Sequence, residues 1–103
     1  MTYTHPLAVH PDAAELRRKA GRYLKKAREE ARLTQQEVAA KVGLAYYTTV
    51  SQVERGTTRV PPDRMRQWAV ALGVEPKVFA STLLRHYDPF MWQMLFGSSS
   101  GDR

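Results

Sequence analysis

The sequence predicts an all-α protein with five or six short helices, and three observations support this fold class. Apolar residues recur at steps of three and four in several segments, which is the spacing of one buried helix face. Glycines and prolines separate these segments at positions where helices end and begin. No segment alternates apolar and polar residues as a half-buried strand would. With 103 residues, the chain is long enough for about one domain around a single core.

The first helix is predicted from about Ala13 to about Arg32, with Asp12 as its capping residue. Residues 1–11 contain prolines and no periodic pattern, so we expect an irregular arm there. Gly21 is an expected weak point of the helix, costing up to about 1 kcal/mol relative to alanine. Half of the 16 basic residues fall in this segment, and the net charge of +6 attracts polyanions such as nucleic acid or an anionic membrane surface. A solvated helix face is the alternative interpretation of the basic run.

Two short helices follow, with a tight turn between them. Thr34 and Glu37 match a capping box that starts the second helix, and Gly43 is suited to end it after about two turns. The third helix is predicted from Tyr46 to Arg55, with a glycine again in the stop position. Two helices joined in this way are typical of a helix-turn-helix, in which the first helix braces the second and the second enters the major groove of DNA.

Prolines start the remaining helices. Pro61 and Pro62 open a fourth helix that ends at Gly73, Pro76 opens a fifth, and Asp88 with the proline after it starts a sixth. The inward residues of the fourth and fifth helices are predicted to be Met65, Trp68, Ala69, Leu72, Phe79, Thr82 and Leu83. The chain therefore divides into an arm, a helix-turn-helix domain at residues 12–86, an apolar extension at 87–97 and a disordered tail at 98–103.

The third helix offers a polar face for reading DNA. At 100° per residue, Val50 and Val53 define its buried side, and Tyr46 falls within about 10° of that direction, which assigns Tyr46 to the core. Glu54 flanks the core and is expected to pair with an arginine inside the domain, because DNA would repel its charge. Hydrogen-bonding side chains lie on the other side, and Tyr47 at the helix entry can stack on a sugar or pack against the domain. The base-reading candidates are therefore Tyr47, Thr48, Ser51 and Gln52.

Contacts with the DNA backbone need a second set of residues, since most protein–DNA hydrogen bonds go to phosphates. Gln35 lies at the start of the second helix, where the helix dipole favours an anion. The polar loop after the third helix would run beside a phosphate chain, with an ordinary connecting loop as the alternative. The phosphate-contacting candidates are Gln35, Arg55, Thr57, Thr58 and Arg59.

Residues 33–56, LTQQEVAAKVGLAYYTTVSQVERG, resemble the lambda-repressor-like helix-turn-helix proteins, the XRE family of bacterial and phage regulators. The shared motifs are LTQ.E, A..VG and S..E.G, followed by Pro61 and..WA.ALGV, and the resemblance covers about residues 13–84. AYYTT occupies five positions where the family usually has four. The resemblance implies a five-helix domain whose third helix reads the major groove, usually as a homodimer on an inverted repeat in double-stranded DNA. The function expected is regulation of transcription, with repression favoured and activation as the alternative. By position, it assigns Gln35 to a phosphate and Tyr47, Thr48 and Gln52 to bases.

The extension after the domain is strongly apolar and needs its own explanation. Its large side chains lie on too many sides for one buried face, which favours a homodimer interface. The candidate interface residues are Phe90, Met91, Trp92, Met94, Leu95 and Phe96. A lid over the chain's own core is one alternative. Another is an antitoxin or protein-bridging module, in which this segment binds a partner protein and the helix-turn-helix autoregulates.

Several function classes are disfavoured by composition. The chain has no cysteine, and its histidines are scattered, so we expect no enzyme activity, no metal site and no cofactor. No signal peptide and no stretch near the ~20 apolar residues of a membrane span is present. We therefore expect a cytoplasmic protein, and the resemblance to the XRE family implies a bacterial or phage origin.

Overall fold

The computed structural model describes residues 12–97, which form six α-helices and one short 3-10 helix, with no strand in that range. The prediction of an all-α fold is thus confirmed, while the predicted arm and tail lie outside the described residues. The helices are α1 (Ala13–Glu30), α2 (Gln35–Lys41), α3 (Thr48–Arg55), α4 (Met65–Leu72), α5 (Pro76–Tyr87) and α6 (Pro89–Phe96), with the 3-10 helix at Pro62–Arg64.

One hydrophobic core lies between helices α1 to α5. The predicted inward residues of α4 and α5 are buried, except that Met65 and Thr82 are half-buried. The hydroxyl of Thr82 donates a hydrogen bond to the carbonyl of Val78 at 2.8 Å. The largest fully buried side chains are Phe79, Leu24, Leu83, Val38, Val42, Val50, Val53 and Val60. Each of these helices therefore turns one apolar face inward, as the spacing of their residues predicts.

Helix α1 ends two residues before the predicted position. Arg32 has a φ of 60°, the left-handed conformation that terminates a helix and that glycine adopts most easily. Its amide donates to the carbonyl of Glu29 at 2.9 Å, and the amide of Leu33 donates to that of Arg28 at 3.1 Å. These two bonds satisfy carbonyls that the helix end would otherwise leave open. The stop was missed because no glycine marks it.

Helix α3 begins at Thr48, two residues later than predicted. Tyr47 is its N-cap residue, and Tyr46 lies before the helix with 75% of its surface exposed. The assignment of Tyr46 to the core was therefore wrong. The angular argument holds only where the backbone is helical, and the turn carries Tyr46 away from the core direction.

Helices α1 and α3 cross at very short range. A Cβ atom built on Gly21 would lie 2.0 Å from the carbonyl oxygen of Glu54. A Cβ atom on Gly56 would lie 2.8 Å from the amide nitrogen of Arg18. The expectation that Gly21 is a weak point was therefore incomplete, because the missing side chain is what lets the two backbones touch.

Candidate nucleic-acid interface

The brace helix α2 starts with the predicted capping box. The hydroxyl of Thr34 accepts from the amide of Glu37 at 3.0 Å, and the carboxylate of Glu37 accepts from the amide of Thr34 at 2.7 Å. Gly43 ends the helix with a φ of 73°. The chain then turns and enters α3, as a helix-turn-helix requires.

Helix α3 has one buried and one solvent-exposed face. Val50 and Val53 are fully buried, which fixes the rotation of the helix about its axis. The opposite face exposes Thr48, Gln52 and Arg55. The predicted candidates on this helix are therefore brought together on a single polar surface.

The two remaining base-reading candidates are Ser51 and Tyr47, and the hydroxyl of Ser51 is already hydrogen-bonded within the helix. Ser51 is half-buried as a residue, and its hydroxyl accepts a hydrogen bond from the guanidinium of Arg55, one turn later. Tyr47, with 45% of its surface exposed, lies at the start of the helix. The side chains of Ser51 and Arg55 consequently form a hydrogen-bonded pair on this helix, and those of Gln52 and Thr48 are not part of that pair.

Glu54 holds helix α3 against the rest of the domain. Its carboxylate accepts from Nε of Arg28 at 2.6 Å and from the second terminal nitrogen of Arg28 at 3.1 Å. Arg28 also donates to the carbonyl of Leu33 at 2.9 Å. The hydrogen bond with Glu54 raises the pKa of Arg28 above its usual value, while partial burial acts in the opposite direction. The predicted pairing of Glu54 inside the domain is confirmed.

Gln35 belongs to the same cluster, which the sequence did not reveal. Its amide nitrogen donates to the carboxylate of Glu54 at 3.0 Å. An amide nitrogen carries two N–H groups, so one of them is used inside the domain. The sequence indicated that Glu54 flanks the core on one side of α3. The spacing of residues did not indicate that the start of α2, with Gln35, lies beside it.

The loop after α3 packs against the end of α5. The hydroxyl of Thr57 donates to the carbonyl of Gln52 at 3.1 Å, which closes the end of α3. Arg59 donates to the carbonyl of Tyr87 at 3.4 Å, and its guanidinium carbon lies 5.5 Å from the centre of the Tyr87 ring. Thr57 and Arg59 are exposed, whereas Thr58 is half-buried. The loop is thus held by specific contacts and is more than a simple connection.

A comparison with protein families bears directly on this arrangement. The model of the helix-turn-helix family matches residues 24–79, more than half of the chain. The chain belongs to the helix-turn-helix family. The match confirms the resemblance to XRE regulators and makes the protein a DNA-binding transcriptional regulator. No curated protein matches the chain.

Helix α6 of this helix-turn-helix regulator lies beyond the matched region and packs on α5. Trp92 is half-buried, donates from its indole nitrogen to the hydroxyl of Ser81 at 3.1 Å, and has the guanidinium carbon of Arg85 at 5.1 Å from its ring. Trp92 is therefore engaged within the chain itself, and its ring centre also lies 6.1 Å from that of Phe96. The other five candidates of the extension are exposed: Phe90, Met91, Met94, Leu95 and Phe96.

A groove of about 440 Å³ runs between α5 and α6 of the regulator. Ala80, Leu84, Leu95 and Phe96 supply much of its apolar wall, with Lys77 at the rim. Two of the exposed apolar side chains of α6, Leu95 and Phe96, thus line this groove. Among residues 12–97, no helix is long and apolar enough to cross a membrane, and no group of side chains could hold a metal ion.

Proposed function

We propose that this regulator is a repressor that binds an inverted-repeat operator in double-stranded DNA as a homodimer, with α3 in the major groove. One observation carries the proposal: α3 buries Val50 and Val53 and turns an exposed face with Thr48, Gln52 and Arg55 to solvent. Occupying DNA that the polymerase needs is sufficient for repression. The protein is accordingly expected to act in the cytoplasm, where its DNA is.

Base reading is assigned to the exposed face of α3. The Gln52 amide can donate an N–H to N7 of adenine while its carbonyl oxygen accepts from the N6 amino group in the major groove. The methyl and hydroxyl of Thr48 fit a thymine methyl or a base edge, and Ser51 adds a hydroxyl. Tyr47 is exposed enough at the helix entry for its ring to meet a sugar. Glu54, the acidic residue of α3, is turned toward α1, so this face carries no negative charge.

Backbone contacts are assigned to residues on both sides of α3. Gln35 has a second N–H group on the nitrogen that Glu54 already holds, so the amide is fixed while one donor is free for a phosphate. Arg55 is the last residue of α3, and Thr57, Thr58 and Arg59 follow it, which places charged and hydroxyl-bearing side chains along one line of chain. Such contacts orient the protein without reading sequence.

Dimerisation is assigned to α6 and the groove beside it. An interface with two-fold symmetry uses the same patch on both copies, so a projecting side chain needs a matching depression nearby. Met94 is 73% exposed and Leu95 61% exposed, next to the apolar groove between α5 and α6. The α6 sequence PFMWQMLF has no charged residue, so the helix itself adds no charge to an interface between two copies that each have a net charge of +6.

The same surface supports a second candidate function. A protein partner with an apolar helix could occupy the groove, in which case the chain is an antitoxin or bridging module whose helix-turn-helix autoregulates. Met94 and Leu95 are exposed in the single chain, which favours a protein partner that covers them. A purified chain that stays monomeric with this surface exposed would favour the second candidate over the homodimer.

The test of base reading is a Gln52→Ala variant on a panel of operator variants, after the operator has been selected from random duplexes. We expect a loss of about 1 to 3 kcal/mol that is confined to one base position in each half-site. Gln67→Ala is a matched control, because Gln67 is an exposed glutamine that belongs to α4 and not to α3. Equal losses for Gln52→Ala on every sequence would refute the readout role.

A further inference from the structure

Tyr87 connects the loop after the recognition helix with the corner between α5 and α6. Its hydroxyl accepts a hydrogen bond from the amide of Val60 at 3.3 Å. Its carbonyl accepts from Arg59 at 3.4 Å, and its ring lies under the Arg59 guanidinium, 5.5 Å from the guanidinium carbon. The side chain and the backbone carbonyl of Tyr87 thus hold Arg59 and Val60, two consecutive residues of the loop.

These contacts fix the loop from both sides. Val60 is fully buried, so its side chain anchors the loop in the core while its amide is tied to Tyr87. Arg59 is exposed and makes no ion pair with a carboxylate in the described part of the chain, so its charge is available to a ligand. A guanidinium that lies on an aromatic face keeps outward N–H groups while losing part of its rotational freedom.

The state of the Tyr87 hydroxyl suits this role. Burial raises the pKa of Tyr87 above its usual value, although the Val60 amide and the Arg59 charge act in the opposite direction. The phenol is therefore neutral at physiological pH. It can accept from the Val60 amide without placing a negative charge beside DNA.

We propose that Tyr87 is a positioning residue for DNA-backbone binding, which holds the Val60 amide and the Arg59 guanidinium so that Arg59 meets a phosphate. The inference rests on the proposed function, because it needs the loop to lie beside DNA. It adds a residue from α5, outside the helix-turn-helix, to the DNA-binding machinery. Tyr87 also ends α5 directly before Asp88, whose side chain caps α6 by accepting from the amide of Met91 at 3.1 Å.

The test is a double-mutant cycle on Arg59→Ala and Tyr87→Leu, with affinity for a selected duplex measured over a range of salt concentrations. Arg59→Ala alone should lower affinity about tenfold and reduce the slope of log affinity against log salt by about 0.9, the loss of one phosphate contact. Tyr87→Leu should lower affinity about two- to fivefold on every sequence, with part of the same change in slope. In the Arg59→Ala background, Tyr87→Leu should change affinity by less than about twofold, because its effect passes through Arg59.

Losses that add fully in the cycle would overturn the proposal, as would tighter DNA binding by Tyr87→Leu. Tyr87→Phe should keep most of the salt slope, since the ring remains while the hydroxyl is removed. Arg59→Lys carries the test even if the Tyr87 variants fail to fold, because Arg59 is exposed. It keeps the charge but loses the planar group, and an affinity equal to that of the unmodified protein would also overturn the proposal.

The unmodified protein in the same assay reports on the proposed function by itself. Failure to bind any duplex at low salt would end the proposed function. Normal binding, sequence-specific loss in Gln52→Ala and additive losses in the Tyr87–Arg59 cycle would end only the inference about Tyr87.

Discussion

At the scale of single residues, Glu54 links three helices because its carboxylate in α3 binds Arg28 of α1 and Gln35 of α2. The side chains of Glu54 and Arg28 are only 6% and 12% exposed. Solvent therefore screens this pair much less than the ion pairs of Glu15 on the outer face of α1. The orientation of the recognition helix depends on a charge pair that the core largely encloses.

Removing one partner of this pair should destabilise the protein strongly. We expect Glu54→Leu to lower the free energy of unfolding by about 3 kcal/mol, because Arg28 then keeps a poorly solvated charge without its partner. Adding Arg28→Met should recover part of that loss, since two apolar side chains then replace two charges. Urea denaturation of the three variants measures the effect. A double variant less stable than Glu54→Leu alone would contradict this account.

Arg32 is a second residue whose role depends on its backbone. Arg32 has a φ of 60°, in the left-handed region. There any residue other than glycine lowers the free energy of unfolding by about 1 kcal/mol. Arg32→Gly should therefore raise the free energy of unfolding by up to about 1 kcal/mol. Lys25→Gly, in the exposed middle of α1, is the control and should lower it by about the same amount. Thermal melting measures both, and destabilisation by Arg32→Gly would show that its side chain has a stabilising contact.

At the scale of elements, the contact between α1 and α3 decides where the recognition helix lies. Gly21 and Gly56 allow backbone atoms of the two helices to touch, and the guanidinium of Arg17 adds a hydrogen bond to the carbonyl of Gly56 at 3.2 Å. Glu54 forms its ion pair along the same contact. Close packing and charge pairing consequently act together at the end of α3 that leads into the loop proposed to contact phosphates.

Gly21→Ala should destabilise the protein, although alanine is a better helix former than glycine. The new methyl group would lie 2.0 Å from the Glu54 carbonyl, so α1 and α3 must separate, at a cost of about 1 to 3 kcal/mol or more. Gly73→Ala is the matched control: nothing lies within 4 Å of a Cβ there, and only its φ of 72° opposes the substitution. A Gly21→Ala variant as stable as the parent would mean that the helices are free to shift.

At the scale of the whole molecule, the exposed polar side chains of α3 and the exposed apolar side chains of α6 form separate surfaces. The polar face of α3 and the basic residues of α1 suit DNA, whose attraction for the +6 chain is long-ranged and weakened by salt. Helix α6 has no charge and exposes Met94 and Leu95. An apolar surface on a charged protein is where association with a second copy costs the least electrostatic work.

The proposed dimer is tested best on residues that do not hold α6 in place. Met94→Lys with Leu95→Glu should give monomers by sedimentation and lose far more affinity for two half-sites than for one. Trp92 is left unchanged because it anchors α6 to Ser81. Val70→Lys, at an exposed valine on α4, is the control and should leave the dimer intact. Dimers that persist in the double variant would remove α6 from the interface.

Sequence alone determined the elements and the polar face of α3. Apolar spacing, the capping box at Thr34 and the stops at Gly43, Gly56 and Gly73 are local signals, because each depends on residues within one or two turns. The pairing of Glu54 followed from its angle on α3 and its charge, without knowledge of its partner.

Only the tertiary structure decided which elements meet. The partner of Glu54, the need for Gly21 and the contact of Tyr87 with the loop each join residues far apart in the chain, and no periodicity encodes such distances. Tyr46 was misassigned and Arg32 missed as a helix stop for a related reason. At each position the backbone conformation comes from the turn as a whole, and the residue type does not specify it.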